Sequence, residues 1–127
     1  MSDILALADE IERAAEGSRE LDARIALATG WKFEPEYFMI PWTSPDGKIS
    51  RSSPPKFTTT LDAALSLVPD ERGRPAAMHV QRTRNFNCCA VVWFDSEFGR
   101  SVRGDAKSLA LALCAASLRA IHQGRSK

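Results

Sequence analysis

The 127-residue chain predicts an α+β fold, an α-β-α sandwich in which helices cover both faces of a mostly antiparallel sheet. Three observations lead there. From Ser108 to Ala120 alanine and leucine dominate and nearly every position is apolar, so the segment reads as a helix buried around most of its circumference. Cys88–Phe94 is apolar on both alternate sets of side chains, the mark of a central strand. The start of the chain repeats apolar residues at helical spacing against an acidic outer face.

Element by element, Ser2 is a good N-cap, and Ile4, Leu7, Ala8, Ile11, Ala14 and Ala15 draw one apolar stripe that Gly17 ends. Ser18 caps a second helix over Arg19–Thr29, with Leu21, Ile25 and Ala28 inward and Gly30 as its stop. Trp31 to Trp42 brings the aromatic and branched residues that favour strands. A Pro-Asp-Gly turn at Pro45 within the Pro, Ser and Gly-rich stretch 43–56 predicts a hairpin or loop with an exposed, mobile tip. Thr59 and Asp62 have capping-box spacing before a short helix with Leu61, Leu65 and Val68 inward and Pro69 as terminator. A charged loop over 70–75 leads to a strand from Ala76 to about Arg84, a turn at Asn85-Phe86-Asn87, the Cys88 strand and a last strand near Arg100–Arg103. Residues 124–127 form a frayed tail.

The length fits a single domain spanning 1–127. No apolar run approaches the roughly 18 residues of a membrane span, and the acidic, amphipathic start is unlike a signal peptide, which points to the cytoplasm. Three cysteines without framework spacing read as small packing residues in a reducing compartment. Net charge is +1 but uneven: residues 1–30 carry seven acids against three arginines, and residues 71–127 carry four acids against ten Lys or Arg. Either the basic half takes an anionic ligand, or the two halves meet and neutralise each other.

Three stretches together resemble the phage ABA sandwich domain family of small bacteriophage and prophage proteins. They are Leu21-Asp22-Ala23-Arg24-Ile25-Ala26-Leu27-Ala28-Thr29-Gly30-Trp31, Phe57-Thr58-Thr59-Thr60-Leu61-Asp62-Ala63-Ala64-Leu65-Ser66-Leu67-Val68-Pro69, and the Leu-Ala-Leu-Cys-Ala-Ala helix from Leu111. The resemblance implies an α-β-α sandwich and a phage or prophage origin, hence a host bacterial cytoplasm, and no known enzymatic activity. The chain departs from the family in its 43–56 segment and in Ala106-Lys107, where Thr-Pro is expected at the helix start.

No nucleophile elbow, zinc-binding spacing or phosphate-binding glycine loop is present, so neither an enzyme nor a metal site is expected, and no cofactor. Cys88 and Cys89, adjacent on a strand, point to opposite faces and cannot easily share an ion. The constellation that suggests chemistry is basic and aromatic: Arg82 and Arg84 on one strand face, Phe86 and Asn87 at the turn, Arg100 and Arg103 before the last helix, and Trp42 as a second stacking platform. Guanidinium forks pair with phosphate, aromatic faces stack on bases and Asn reads a base edge. The same residues also suit a solvated strand edge that charge protects from aggregation. A near-neutral chain is a poor match to duplex nucleic acid. The expectation is therefore a non-enzymatic phage accessory protein that sequesters a nucleotide-like anionic signal, with a structural or protein-interaction module of the phage as the alternative. The aromatics between Trp31 and Trp42 exceed what so small a core holds, which predicts a homo-oligomer.

Overall fold

The computed structural model describes residues 3–34, 41–71, 74–75, 77–82, 87–95 and 99–125. Helix α1 (Asp3–Arg13) buries Ile4, Leu7, Ala8 and Ile11. It ends before Ala15 because the Ala14 amide bonds the Ile11 carbonyl and tightens the last turn, so Ala15 is exposed instead of extending the stripe. Helix α2 (Arg19–Ala28) begins as expected at Ser18, whose hydroxyl accepts from the Leu21 amide at 3.1 Å. Arg24 of α2 pairs with Glu10 of α1.

Strands β1 (Lys32–Phe33), β2 (Trp42–Thr43) and β3 (Ser50–Arg51) form a small antiparallel sheet in that order. The expected Trp31–Trp42 strand is seen only at its two ends; residues 35–40 lie outside the described residues. The 43–56 segment does contain a hairpin, with Thr43 opposite Ser50 and the Asp46 carboxylate accepting from the Ser44 hydroxyl and the Lys48 amide. Helix α3 (Leu61–Leu65) is capped by Thr60, not Thr59, because the chain first closes a turn on the Lys56 carbonyl, which accepts from the Thr59 and Thr60 amides. Leu61 and Val68 pack partly buried against the core as expected, Ala64 and Leu67 are buried, and Leu65 is exposed instead. The stretch predicted as a charged loop is a short hairpin, β4 (Asp70–Glu71) against β5 (Arg74–Pro75).

The main sheet is β6 (Ala77–Arg82), β7 (Cys88–Asp95) and β8 (Arg100–Ala106), antiparallel with β7 in the centre. Helix α4 (Leu109–Arg125) lies on it, and every residue from Ala110 to Leu118 is buried. Ser108 starts this helix by accepting from the Leu111 amide through its hydroxyl and from the Ala112 amide through its carbonyl. The strand–helix approach is close enough to require glycine at 104: a Cβ there would stand 2.4 Å from the Ala112 carbonyl oxygen. The other side of α4 meets α3 and Phe57, whose carbonyl accepts from the Cys114 thiol at 3.0 Å. Asp22, fully buried, ties α2 to this layer by accepting from both the amide and the hydroxyl of Thr58 and from Arg19.

The α+β class with helices packed on an antiparallel sheet is therefore as expected. Among the described residues the main sheet meets helices α4 and α1, while its side chains Ala77, His79, Gln81, Ser101, Arg103 and Asp105 are exposed. No helix among the described residues is long and apolar enough to cross a membrane. The two halves of uneven charge do meet: Arg119 of α4 donates to Glu12 and Asp9 of α1.

Candidate binding face

Alternation along β7 separates two environments one residue apart. Cys88, Ala90 and Val92 turn toward α4 and are buried. Cys89, Val91 and Trp93 turn the other way, and Val91 and Trp93 stay half-exposed. The register brings their neighbours into rows: Gln81, Cys89 and Asp105 in one, His79, Val91 and Arg103 in the next, and Ala77 beside Trp93 in the third. A register irregularity between Val92 and Asp95 falls at Trp93, where a bulge can re-aim a side chain. With alanine as its partner on β6, the indole has no bulky cross-strand neighbour on that side.

The polar groups of this face are paired along their own strands. His79 Nε2 and Gln81 Oε1 are 3.4 Å apart. Arg103 forks onto Asp105, with Nε and Nη2 donating to its carboxylate at 2.9–3.1 Å. That carboxylate raises the Arg103 pKa above its ordinary value, so the side chain is a permanent cation.

Beneath the pair lies a clasp that fixes its backbone. Arg119 Nη1 donates to the Arg103 carbonyl at 2.6 Å and to Glu12 at 2.8 Å, while Nη2 reaches Glu12 at 2.5 Å and Asp9 at 2.7 Å. Glu12 in turn accepts from the Asp105 amide at 2.8 Å. The Arg119 hydrogen bond, first among the causes, holds the Glu12 carboxyl below its usual range against the opposing effect of burial. The same contact pushes the Arg119 pKa up. Burial pushes up the thiol pKa of Cys114, the opposite of what a nucleophile needs. All three cysteines are free and buried. Among the described residues no group of His, Cys, Asp or Glu is placed to hold a metal ion.

Among the described residues, those singled out from sequence are spread over different parts of the fold. Of the five that lie among the described residues, Arg103 stands on the exposed face described above. Arg82 has the opposite parity, across from Cys88 and Ala106 at one end of the sheet. Arg100 begins β8 at the other end, six residues and roughly 20 Å from Ala106. Asn87 is exposed just before β7. Arg84 and Phe86 lie outside the described residues. Trp42 is a correction: it is 7% exposed, in the other sheet, with its ring 4.9 Å from Phe33, so it packs in the core instead of presenting a platform on the hairpin tip. The cross-strand pairing of Phe33 with Trp42 is the physical reason.

Sequence reasoning passed over Trp93. A signal existed in the polar alternation of His79 and Gln81, which marks one face of β6 as open, but the apolar run of β7 concealed which of its residues shared that face. Comparison of the chain with known family models, curated proteins and solved structures finds no match. The phage resemblance rests on its three sequence stretches alone.

Proposed function

We propose that the chain is a non-enzymatic binding protein that takes a flat, anionic, nucleotide-type ligand on the open face of the β6–β7–β8 sheet. The observation that carries this reading is the half-exposed Trp93 on the central strand, one row from the Arg103 guanidinium and the His79 imidazole. A base stacks on the indole, a phosphate reaches Arg103, and Gln81 offers a donor and an acceptor to a ring edge. In the phage setting that the resemblance implies, such a protein sequesters a nucleotide signal in the host cytoplasm and leaves it chemically unchanged.

Asp105 gives the proposal a sharp sign. Its carboxylate occupies the same guanidinium edge a phosphate would use, so ligand and Asp105 compete for Arg103. Calorimetric titration of AMP and of cyclic dinucleotides is expected to show about a tenfold to hundredfold loss in Arg103→Ala, and a gain in Asp105→Asn. Adenosine, without phosphate, is expected to respond to Trp93→Ala only. Absence of any binding tighter than about millimolar, or a loss of affinity in Asp105→Asn, overturns the reading.

A second reading, a phage protein-interaction module without a small-molecule ligand, draws on Leu27, Phe33 and Ile49. These large apolar side chains are 48–55% exposed in and around the β1–β3 sheet. Light scattering of wild type and Phe33→Asp tests whether they join copies of this chain: loss of an oligomer in the variant supports it, and a monomeric wild type excludes it.

A further inference from the structure

A concave site lies away from the open sheet face, where α2 and α3 both end. It is a cleft of about 400 Å³, within the size range of small-molecule pockets, with Phe57 at its base and Trp31, Pro45, Leu67, Val68 and Ile121 among its walls. Gly30 lets it form. With φ at +104° it turns the chain sharply after α2, and a Cβ there would stand 3.3 Å from the Pro45 ring that closes one side.

The hydroxyls of the cleft act as acceptors toward it. Its two hydroxyls have already committed their protons: Thr29 Oγ1 donates to the Ile25 carbonyl at 2.9 Å, and Ser66 Oγ donates to the Ala63 carbonyl at 2.5 Å. What they present to the cleft is lone pairs. The C-terminal end of α2 carries partial negative charge, and neither α2 nor α3 has a basic residue in its last turn to offset it. None of the lining residues is charged. Apart from the indole N–H of Trp31, the lining side chains offer an anion no donor, whereas a ring bearing an N–H or ammonium group would find hydroxyl acceptors above an apolar floor.

We infer that this cleft binds a small aromatic amine, its ring against Phe57, Leu67 and Val68 and its nitrogen donating to the Thr29 and Ser66 hydroxyl oxygens. The site is independent of the nucleotide reading, which requires the opposite charge at a different face. The probe is tryptamine, with indole-3-acetate as an anion on the same ring system, titrated by calorimetry and followed by thermal shift. Tryptamine is expected to bind at least about tenfold more tightly than indole-3-acetate, one decade being the effect of a single charge-assisted contact. Val68→Trp, which fills the cleft, is expected to abolish binding. Ser66→Ala and Thr29→Val each weaken it several-fold, and Arg103→Ala leaves it unchanged. Equal binding of the two probes, no binding of tryptamine, or full binding by Val68→Trp overturns the inference. Should Val68→Trp fail to fold, the exposed Ser66→Ala still decides: tryptamine affinity equal to that of wild type removes the proposed contact and the proposal with it.

Discussion

The two faces of the β6–β7–β8 sheet are built from alternate residues of the same strands and have opposite tasks. Toward α4, Cys88, Ala90, Val92 and Gly104 are small or compact, and the backbone of the helix comes so near that no side chain fits at 104. Away from it stand exposed His79, Gln81, Arg103 and Asp105, beside half-buried Val91 and Trp93 and buried Cys89. The difference teaches where free energy is concentrated. Shape complementarity on the helix face stabilises the fold, because close-packed interiors resist even a methylene of change. The open face contributes little to that total and is free to carry recognition chemistry.

The strongest way to test this division is Leu113→Ala on α4. Leu113 is fully buried, and the truncation is expected to cost about 2–5 kcal/mol in chemical denaturation. A loss below about 1 kcal/mol would place the centre of stability elsewhere. Gly104→Ala probes the same contact from the sheet. The added methyl meets the Ala112 carbonyl oxygen and the Ala116 amide nitrogen, backbone atoms of a helix that cannot move singly, and about 1–3 kcal/mol is expected.

A smaller effect belongs to the clasp that joins the helical layer to β8. Glu12 has its pKa depressed in the folded state, chiefly by the Arg119 hydrogen bond. Its contribution is therefore present above the unfolded value, near 4.5, and is lost as pH falls through the lower folded one. Denaturation followed from neutral pH into this acid window is expected to show a falling limb that Glu12→Gln flattens. An unchanged limb would mean that the clasp does not couple to folding. Smallest of all is the stability effect of Arg103→Ala, whose side chain is 63% exposed. Its denaturation midpoint is expected to match wild type while ligand affinity falls, and a large destabilisation would break the contrast between the faces.

Local grammar made much of this architecture legible. The Ser18 cap, the buried Ala and Leu helix and the Cys88 strand follow from hydrogen-bonding side chains and apolar periodicity within a few residues of each other. The α3 cap could not be placed among three consecutive threonines, because the Lys56 turn decides which hydroxyl starts the helix. Trp42 misled for a similar reason. An aromatic beside a turn reads as exposed unless its cross-strand partner is known, and Phe33 lies nine positions away. The binding face was least legible. On β7 both alternate sets are apolar, so only the register with His79 and Gln81 identifies the side that Trp93 occupies. Arg119 carries a signal that could have been used: it is the sole charged residue between Ser108 and Ala120, and α1 supplies acids for it.

The buried thiols give the central helix a chemical clock of its own. Cys88 lies in the layer on one side of α4, and Cys114 points from α4 to the Phe57 layer on the other. Alkylation requires a thiolate in contact with reagent, so each sulfur reacts only when its own layer parts. Equal labelling rates would mark the sheet, the helix and the Phe57 layer as one cooperative unit; unequal rates would reveal which layer lifts first and at what frequency.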